Sequence, residues 1–161
     1  MNHVQLNFRG IGKGMDSNGN GNYNKSDSDS DSDSDSNSNE DFSGELKTEN
    51  GNLRIGMAEG EFLPYQMLMG ALGACLYSTF LDIIKKMRLE FSACSLDIQW
   101  EKRTETPTTC KVVMIKASVK GVERNKQTRF HKAFELATEY CSIYSTLSHV
   151  AEMHWEIFFE E

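Results

Sequence analysis

The chain of 161 residues predicts an α+β fold whose strands pair mostly antiparallel. Two observations carry that prediction. Short stretches with hydrophobic period 2 bracket longer stretches with apolar residues at 3–4 spacing, the patterns of half-buried strands and amphipathic helices. Their order, βββαββααβ, lacks the regular strand–helix alternation that a doubly wound parallel sheet requires.

The elements follow in order. His3–Phe8 sets Val4, Leu6 and Phe8 against His3, Gln5 and Asn7, a strand with one apolar face. Phe42–Lys47 and Asn52–Met57 flank Glu49-Asn50-Gly51, and Asn-Gly between two strand-like runs predicts a hairpin. Pro64 suits the first turn of a helix, where its missing N–H leaves no bond unmade. From there to about Met87 the chain is rich in Leu, Met and Ala, with Leu68, Ala71, Leu72, Cys75, Leu76, Thr79 and Ile83 expected on one stripe. Lys85, Lys86 and Arg88 gather at its C-terminal end, opposing the negative end of the helix dipole. Gly70, Gly73 and Ala74 form a small-residue surface suited to close approach of another element or another copy of the helix.

Ser95–Lys102 and Cys110–Val119 read as strands separated by the Thr cluster and Pro107. Lys126–Tyr140 reads as a helix burying Phe130, Ala133, Phe134, Ala137 and Tyr140. Ser142–Val150 is expected to form a second, short helix and Met153–Phe159 the final strand.

Between the first two strands lies a tract of a different kind. Residues 16–41, DSNGNGNYNKSDSDSDSDSDSNSNED, contain Tyr23 as their only large apolar side chain. Nothing there can offset the entropy of ordering, so a disordered insertion in a single 1–161 domain is expected. The tract holds eight acids and one base, a net −7, which equals the net charge of the whole chain with its 24 acids and 17 bases. The remaining 16 acids and 16 bases cancel, so the folding part has no field with which to attract nucleic-acid phosphates. The run Leu63–Ile84 is interrupted by Gln66, Gly70, Gly73, Ser78, Thr79 and Asp82 and falls short of the ~18 uninterrupted apolar residues of a membrane span. MNHVQLNFRG has no basic patch followed by an apolar core, so no secretory signal is visible. A cytoplasmic location is expected.

Four cysteines remain: Cys75, Cys94, Cys110 and Cys141. No two form a CxxC pair, and no histidine stands at a usual zinc spacing from any of them; no metal or other cofactor is expected. Cys94 and Cys110 fall within strands and read as packing thiols. His3, His131, His149 and His154 are scattered and read as surface or helix-flank residues.

Cys75 and Cys141 stand in more informative surroundings. Cys75 lies eleven positions after Pro64, behind Gly70-Ala71-Leu72-Gly73-Ala74. Cys141 follows Tyr140 and precedes Ser145-Thr146-Leu147. This arrangement resembles the superfamily of osmotically induced protein C and the organic-hydroperoxide-resistance proteins (OsmC/Ohr), in element order as well as in both cysteine motifs. The resemblance implies a long central helix, an intertwined homodimer and thiol peroxidase chemistry. It makes Cys75 the peroxidatic residue and Cys141 the resolving one, with an organic hydroperoxide as substrate and an external dithiol as reductant. The family activates its first thiol with an arginine and a glutamate. Here Tyr65 and Gln66 occupy the glutamate's place, Glu59 and Glu61 lie before the proline, and Arg9 is the nearest match for the arginine, with Lys13 as substitute. Ser142 stands where the family has a proline. These departures leave open a non-enzymatic reading, a small-molecule-binding module with the same fold, and a scaffold that recruits a partner through the acidic tract.

Overall fold

The computed structural model describes residues 5–8 and 42–160; the expectations for Arg9, Lys13 and the 16–41 tract lie outside the described residues. Six strands and three α-helices follow the expected order: β1 (Gln5–Phe8), β2 (Ser43–Thr48), β3 (Gly51–Gly56), α1 (Pro64–Lys86), β4 (Ala93–Lys102), β5 (Cys110–Lys120), α2 (Gln127–Tyr140), α3 (Ser142–Ser148) and β6 (Glu152–Glu160). The chain divides into two compact units, Met1–Pro64 and Tyr65–Glu161.

In the first unit, β1, β2 and β3 form an antiparallel sheet. Thr48 pairs with Gly51, so the hairpin loop is Glu49-Asn50, one residue earlier than the Asn-Gly signal suggested. Thr48 takes part in closing it: its hydroxyl donates to the Gly51 carbonyl at 2.9 Å and accepts from the Asn50 N–H at 3.2 Å. After β3 the chain is clasped by Glu61. Its almost fully buried carboxylate accepts from Arg54 at 2.9 Å, Ser43 Oγ at 3.3 Å and the Ala58 N–H at 3.2 Å. Gly56, at φ +159°, leaves the space this carboxylate needs: a Cβ there would run into Glu61 and stand 2.8 Å from the Phe42 carbonyl oxygen.

The second unit is a three-stranded sheet, β4-β5-β6, packed with the helices. β4 and β5 are antiparallel, with a register shift at Glu101/Lys102, whereas β5 and β6 are parallel. Connectivity permits the parallel pair: α2 and α3 lie between β5 and β6, a crossover long enough to return the chain in the same direction. Mostly antiparallel pairing therefore holds, with one parallel exception. β5 turns Val113, Ile115, Ala117 and Val119 into the core, all without exposed surface. They meet Leu72, Leu76 and Phe80 of α1 and Phe130, Ala133, Phe134 and Ala137 of α2. Phe80, Phe130, Phe134 and Trp155 join Phe91 and Phe159 in a chain of tilted and edge-on ring contacts, the closest being Phe134–Trp155 at 5.3 Å between centroids.

Three sequence expectations need correction here. The buried stripe of α1 is Met69, Leu72, Leu76, Phe80 and Ile84, rotated from the expected one, while Leu68 and Ala71 are exposed. The helix is apolar almost all round, so its periodicity fixes the phase poorly. On α2, Tyr140 is 73% exposed, because the helix stops there and the backbone turns extended at Cys141. Finally, α1 is by length and composition apolar enough to cross a membrane, through an 18-residue window within it. Asp82 is the one charged residue among the interruptions in the run. The apolarity has a packing counterpart on one side, since its buried stripe forms part of the core.

α1 ends without glycine. Arg88 adopts the left-handed conformation, φ 53°, and the Leu89 N–H closes on the Ile84 carbonyl at 3.1 Å. Leu89 and Ile84 are both buried, the apolar contact that accompanies such a helix stop.

Candidate functional site

Cys75 lies in the middle of α1, one residue before the buried Leu76, and is half-buried. Cys141 is the junction between α2 and α3. Its N–H donates to the Ala137 carbonyl at 2.9 Å, completing α2, and its sulfur accepts from the Tyr144 N–H at 3.4 Å, capping α3. A residue fixed from both sides in this way has little freedom, and its side chain is fully buried.

The fold brings these two thiols together across 66 positions of sequence, with Sγ–Sγ 3.2 Å. Both are free. A disulfide needs about 2.05 Å between sulfurs, so closure requires an approach of roughly 1.2 Å.

Their environments pull them apart electrically. Cys75 is held below the ordinary thiol range, chiefly by a hydrogen bond from the Ile143 backbone N–H, then by the Cys141 thiol and by Ser142, whose Oγ lies 3.8 Å away. Burial pushes Cys141 upward, and the neighbouring Cys75 adds to the rise. These opposite shifts favour ionisation at Cys75 over Cys141, in keeping with the geometry in which the Cys141 thiol donates toward the Cys75 sulfur. The thiolate is stabilised by hydrogen bonds rather than by a side-chain cation among the described residues. Tyr65 and Gln66 stand where the resemblance would put a carboxylate, and the Ile143 and Ser142 donors to Cys75 come from the segment after Cys141. Tyr65 has another engagement, with the Lys102 ammonium 4.0 Å from its ring centroid.

The other cysteines behave as the strand placement suggested. Cys110 is buried and faces the Glu101 and Val112 carbonyls, each at 3.7 Å; Cys94 is half-buried. Burial raises both above the ordinary thiol range. Among the described residues no three His, Cys, Asp or Glu side chains converge as a metal site. An open groove of about 450 Å³ runs between α1 and β4, lined by Gly70, Gly73, Ala74 and Tyr77 on one side and Cys94, Leu96 and Ile98 on the other. Ser142 and Ile143 are the site residues that sequence reasoning missed. Ser142 stood out only as a departure from a motif, and a backbone donor such as Ile143 leaves no trace in side-chain identity.

No curated protein matches the chain closely enough to serve as a relative. Among solved structures, it is similar to a hypothetical protein from Aquifex aeolicus VF5, with 26% identity, coverage of 74% of this chain and 89% of that one, and TM-score 0.62. It also resembles an OsmC-like protein from Mycoplasma pneumoniae at 14% identity, coverage 76% and 92%, and TM-score 0.65. The organic hydroperoxide resistance protein OhrB of Bacillus subtilis matches at 18% identity, coverage 71% and 89%, and TM-score 0.55. At those two identities the likeness speaks for the fold. The family model for OsmC-like protein matches residues 57–156, from the end of the β2–β3 hairpin through most of β6, both cysteines included. The chain belongs to the OsmC-like protein family.

Proposed function

We propose that the protein is a thiol-dependent peroxidase that reduces organic hydroperoxides in the cytoplasm. The observation that carries this reading is the free Cys75–Cys141 pair at 3.2 Å, one thiol half-buried and biased toward thiolate, the other buried and protonated. The naming of the Bacillus subtilis neighbour as an organic hydroperoxide resistance protein supports the substrate class.

In the cycle, the Cys75 thiolate attacks the terminal oxygen of the hydroperoxide. The S–O bond forms, the O–O bond breaks, and the departing alkoxide takes a proton from water to leave as the alcohol. Cys75 becomes a sulfenic acid. Cys141 then displaces the sulfenic hydroxyl, which leaves as water with the Cys141 proton, and a disulfide forms. An external dithiol returns both cysteines to thiols and is itself oxidised to a disulfide. Arg9 is kept as a candidate partner of the Cys75 thiolate, and the homodimer implied by the family is kept as the working assembly. The test is steady-state consumption of an organic hydroperoxide by the purified protein with a dithiol reductant. Turnover lost in Cys75→Ser supports the reading, since a serine hydroxyl neither ionises at neutral pH nor climbs the thiol oxidation ladder.

The α1–β4 groove, mostly apolar in lining, favours a second reading, a non-enzymatic module for a small apolar ligand. Equal, slow hydroperoxide loss in wild type and Cys75→Ser would select it.

A further inference from the structure

We propose that Ser142 is a catalytic residue, its hydroxyl donating a hydrogen bond to the Cys75 thiolate. The proposal rests on the peroxidase reading for its catalytic meaning and on the geometry for the bond itself. Ser142 Oγ lies 3.8 Å from Cys75 Sγ, a contact in which either atom can donate while Cys75 is a thiol. Once Cys75 has lost its proton only the hydroxyl can donate, so the contact becomes one-directional when the nucleophile forms.

The residue is anchored for this task. Cys141, immediately before it, is tied into the ends of both α2 and α3, and the Ser142 carbonyl accepts from Thr146 Oγ1 at 2.8 Å. The side chain itself is exposed, so burial and packing do not account for a serine here, and an alanine would leave the local core intact. Ser142 and Cys141 flank the Cys75 sulfur with two side-chain donors, at 3.8 Å and 3.2 Å. During attack on an organic hydroperoxide the sulfur lone pair moves to the terminal oxygen, the alkoxide departs and is protonated by water, and the Ser142 hydroxyl is released from the sulfur as its negative charge is lost.

The test measures thiolate formation without any peroxide. Alkylation of Cys75 by iodoacetamide is followed against pH by peptide mass spectrometry in wild type, Ser142→Ala and Ser142→Thr. Ser142→Ala is expected to move the Cys75 midpoint upward by about one unit, roughly tenfold less thiolate at neutral pH, while Ser142→Thr, which keeps the hydroxyl, stays near wild type. An unchanged midpoint in Ser142→Ala overturns the proposal, and so does an equal rise in both variants, which marks a structural effect. Should Ser142→Ala fail to fold, Ser142→Gly takes its place: a raised midpoint supports the hydroxyl's role, and an unchanged one overturns it. Hydroperoxide turnover is then read on the same proteins. A midpoint that shifts as expected with no turnover even in wild type retains the hydrogen bond and removes the peroxidase reading.

Discussion

At the scale of single residues, the site rests on an inequality between two sulfurs. Cys75 is lowered and Cys141, Cys94 and Cys110 are raised from the ordinary thiol value. A lowered midpoint means a larger thiolate fraction at neutral pH, and the thiolate is the reactive form. Alkylation of Cys75 is therefore expected to rise through a midpoint below the usual thiol range, and the other three to lag until more alkaline pH. Mass spectrometry after brief alkylation at neutral pH should find Cys75 modified first; labelling led by Cys94 would contradict the assignment. Cys141→Ser should leave the first reaction with hydroperoxide intact and trap Cys75 as a sulfenic acid open to overoxidation, detectable with a dimedone-type probe. Both sulfurs were legible in the sequence because they carry their chemistry in their side chains and stand in recognisable motifs. The Ile143 N–H was not legible, since any residue but proline offers the same donor.

At the scale of elements, order and type were legible and phase was not. The period-2 runs after the acidic tract and the Lys126–Tyr140 helix describe strands and a helix of clear sidedness; the strands form as read, and the helix buries Phe130, Ala133, Phe134 and Ala137 but leaves Tyr140 exposed. α1 is different: Leu68 and Ala71 are as apolar as Leu72 and Leu76, so its sequence alone cannot say which side faces β5. Packing decides, and Phe80, the largest of the three α1 side chains with no exposed surface, is the one that joins the aromatic cluster. Phe80→Ala should cost about 3–5 kcal/mol, measured by urea unfolding. A loss below about 1 kcal/mol would show that the aromatic cluster is not the anchor. The end of α1 makes a second prediction. Arg88 occupies a left-handed conformation that burdens a residue with a Cβ by about 1 kcal/mol, so Arg88→Gly should hold or raise stability despite glycine's greater freedom in the unfolded chain. The parallel β5–β6 pair was hidden for another reason: strand direction depends on where the intervening helices return the chain, a property of the whole unit rather than of either strand.

At the scale of the whole molecule, the open groove along α1 raises the question of what covers it. Gly73 lies close to β4, where an added Cβ would sit 3.2 Å from Ile98 Cδ1, whereas the same addition at Gly70 meets nothing within 4 Å. Gly70→Leu is therefore sterically open within one chain. If a second copy packs along this small-residue surface, as in the proposed homodimer, the substitution should weaken association. Sedimentation is expected to show a wild-type dimer at micromolar concentration and a shift toward monomer in Gly70→Leu; a wild-type monomer would contradict the proposed assembly. The acidic tract belongs to this scale too, because its composition alone accounts for the net charge. Deleting residues 17–40 should leave melting temperature and turnover nearly unchanged. The most direct test of the cysteine-pair account is a single-turnover reaction of the fully reduced protein with one equivalent of an organic hydroperoxide, quenched by alkylation and mapped by mass spectrometry. The account predicts a Cys75–Cys141 disulfide with Cys94 and Cys110 still alkylated as thiols. A hydroperoxide that oxidises neither Cys75 nor Cys141, or that oxidises Cys94 first, would contradict it.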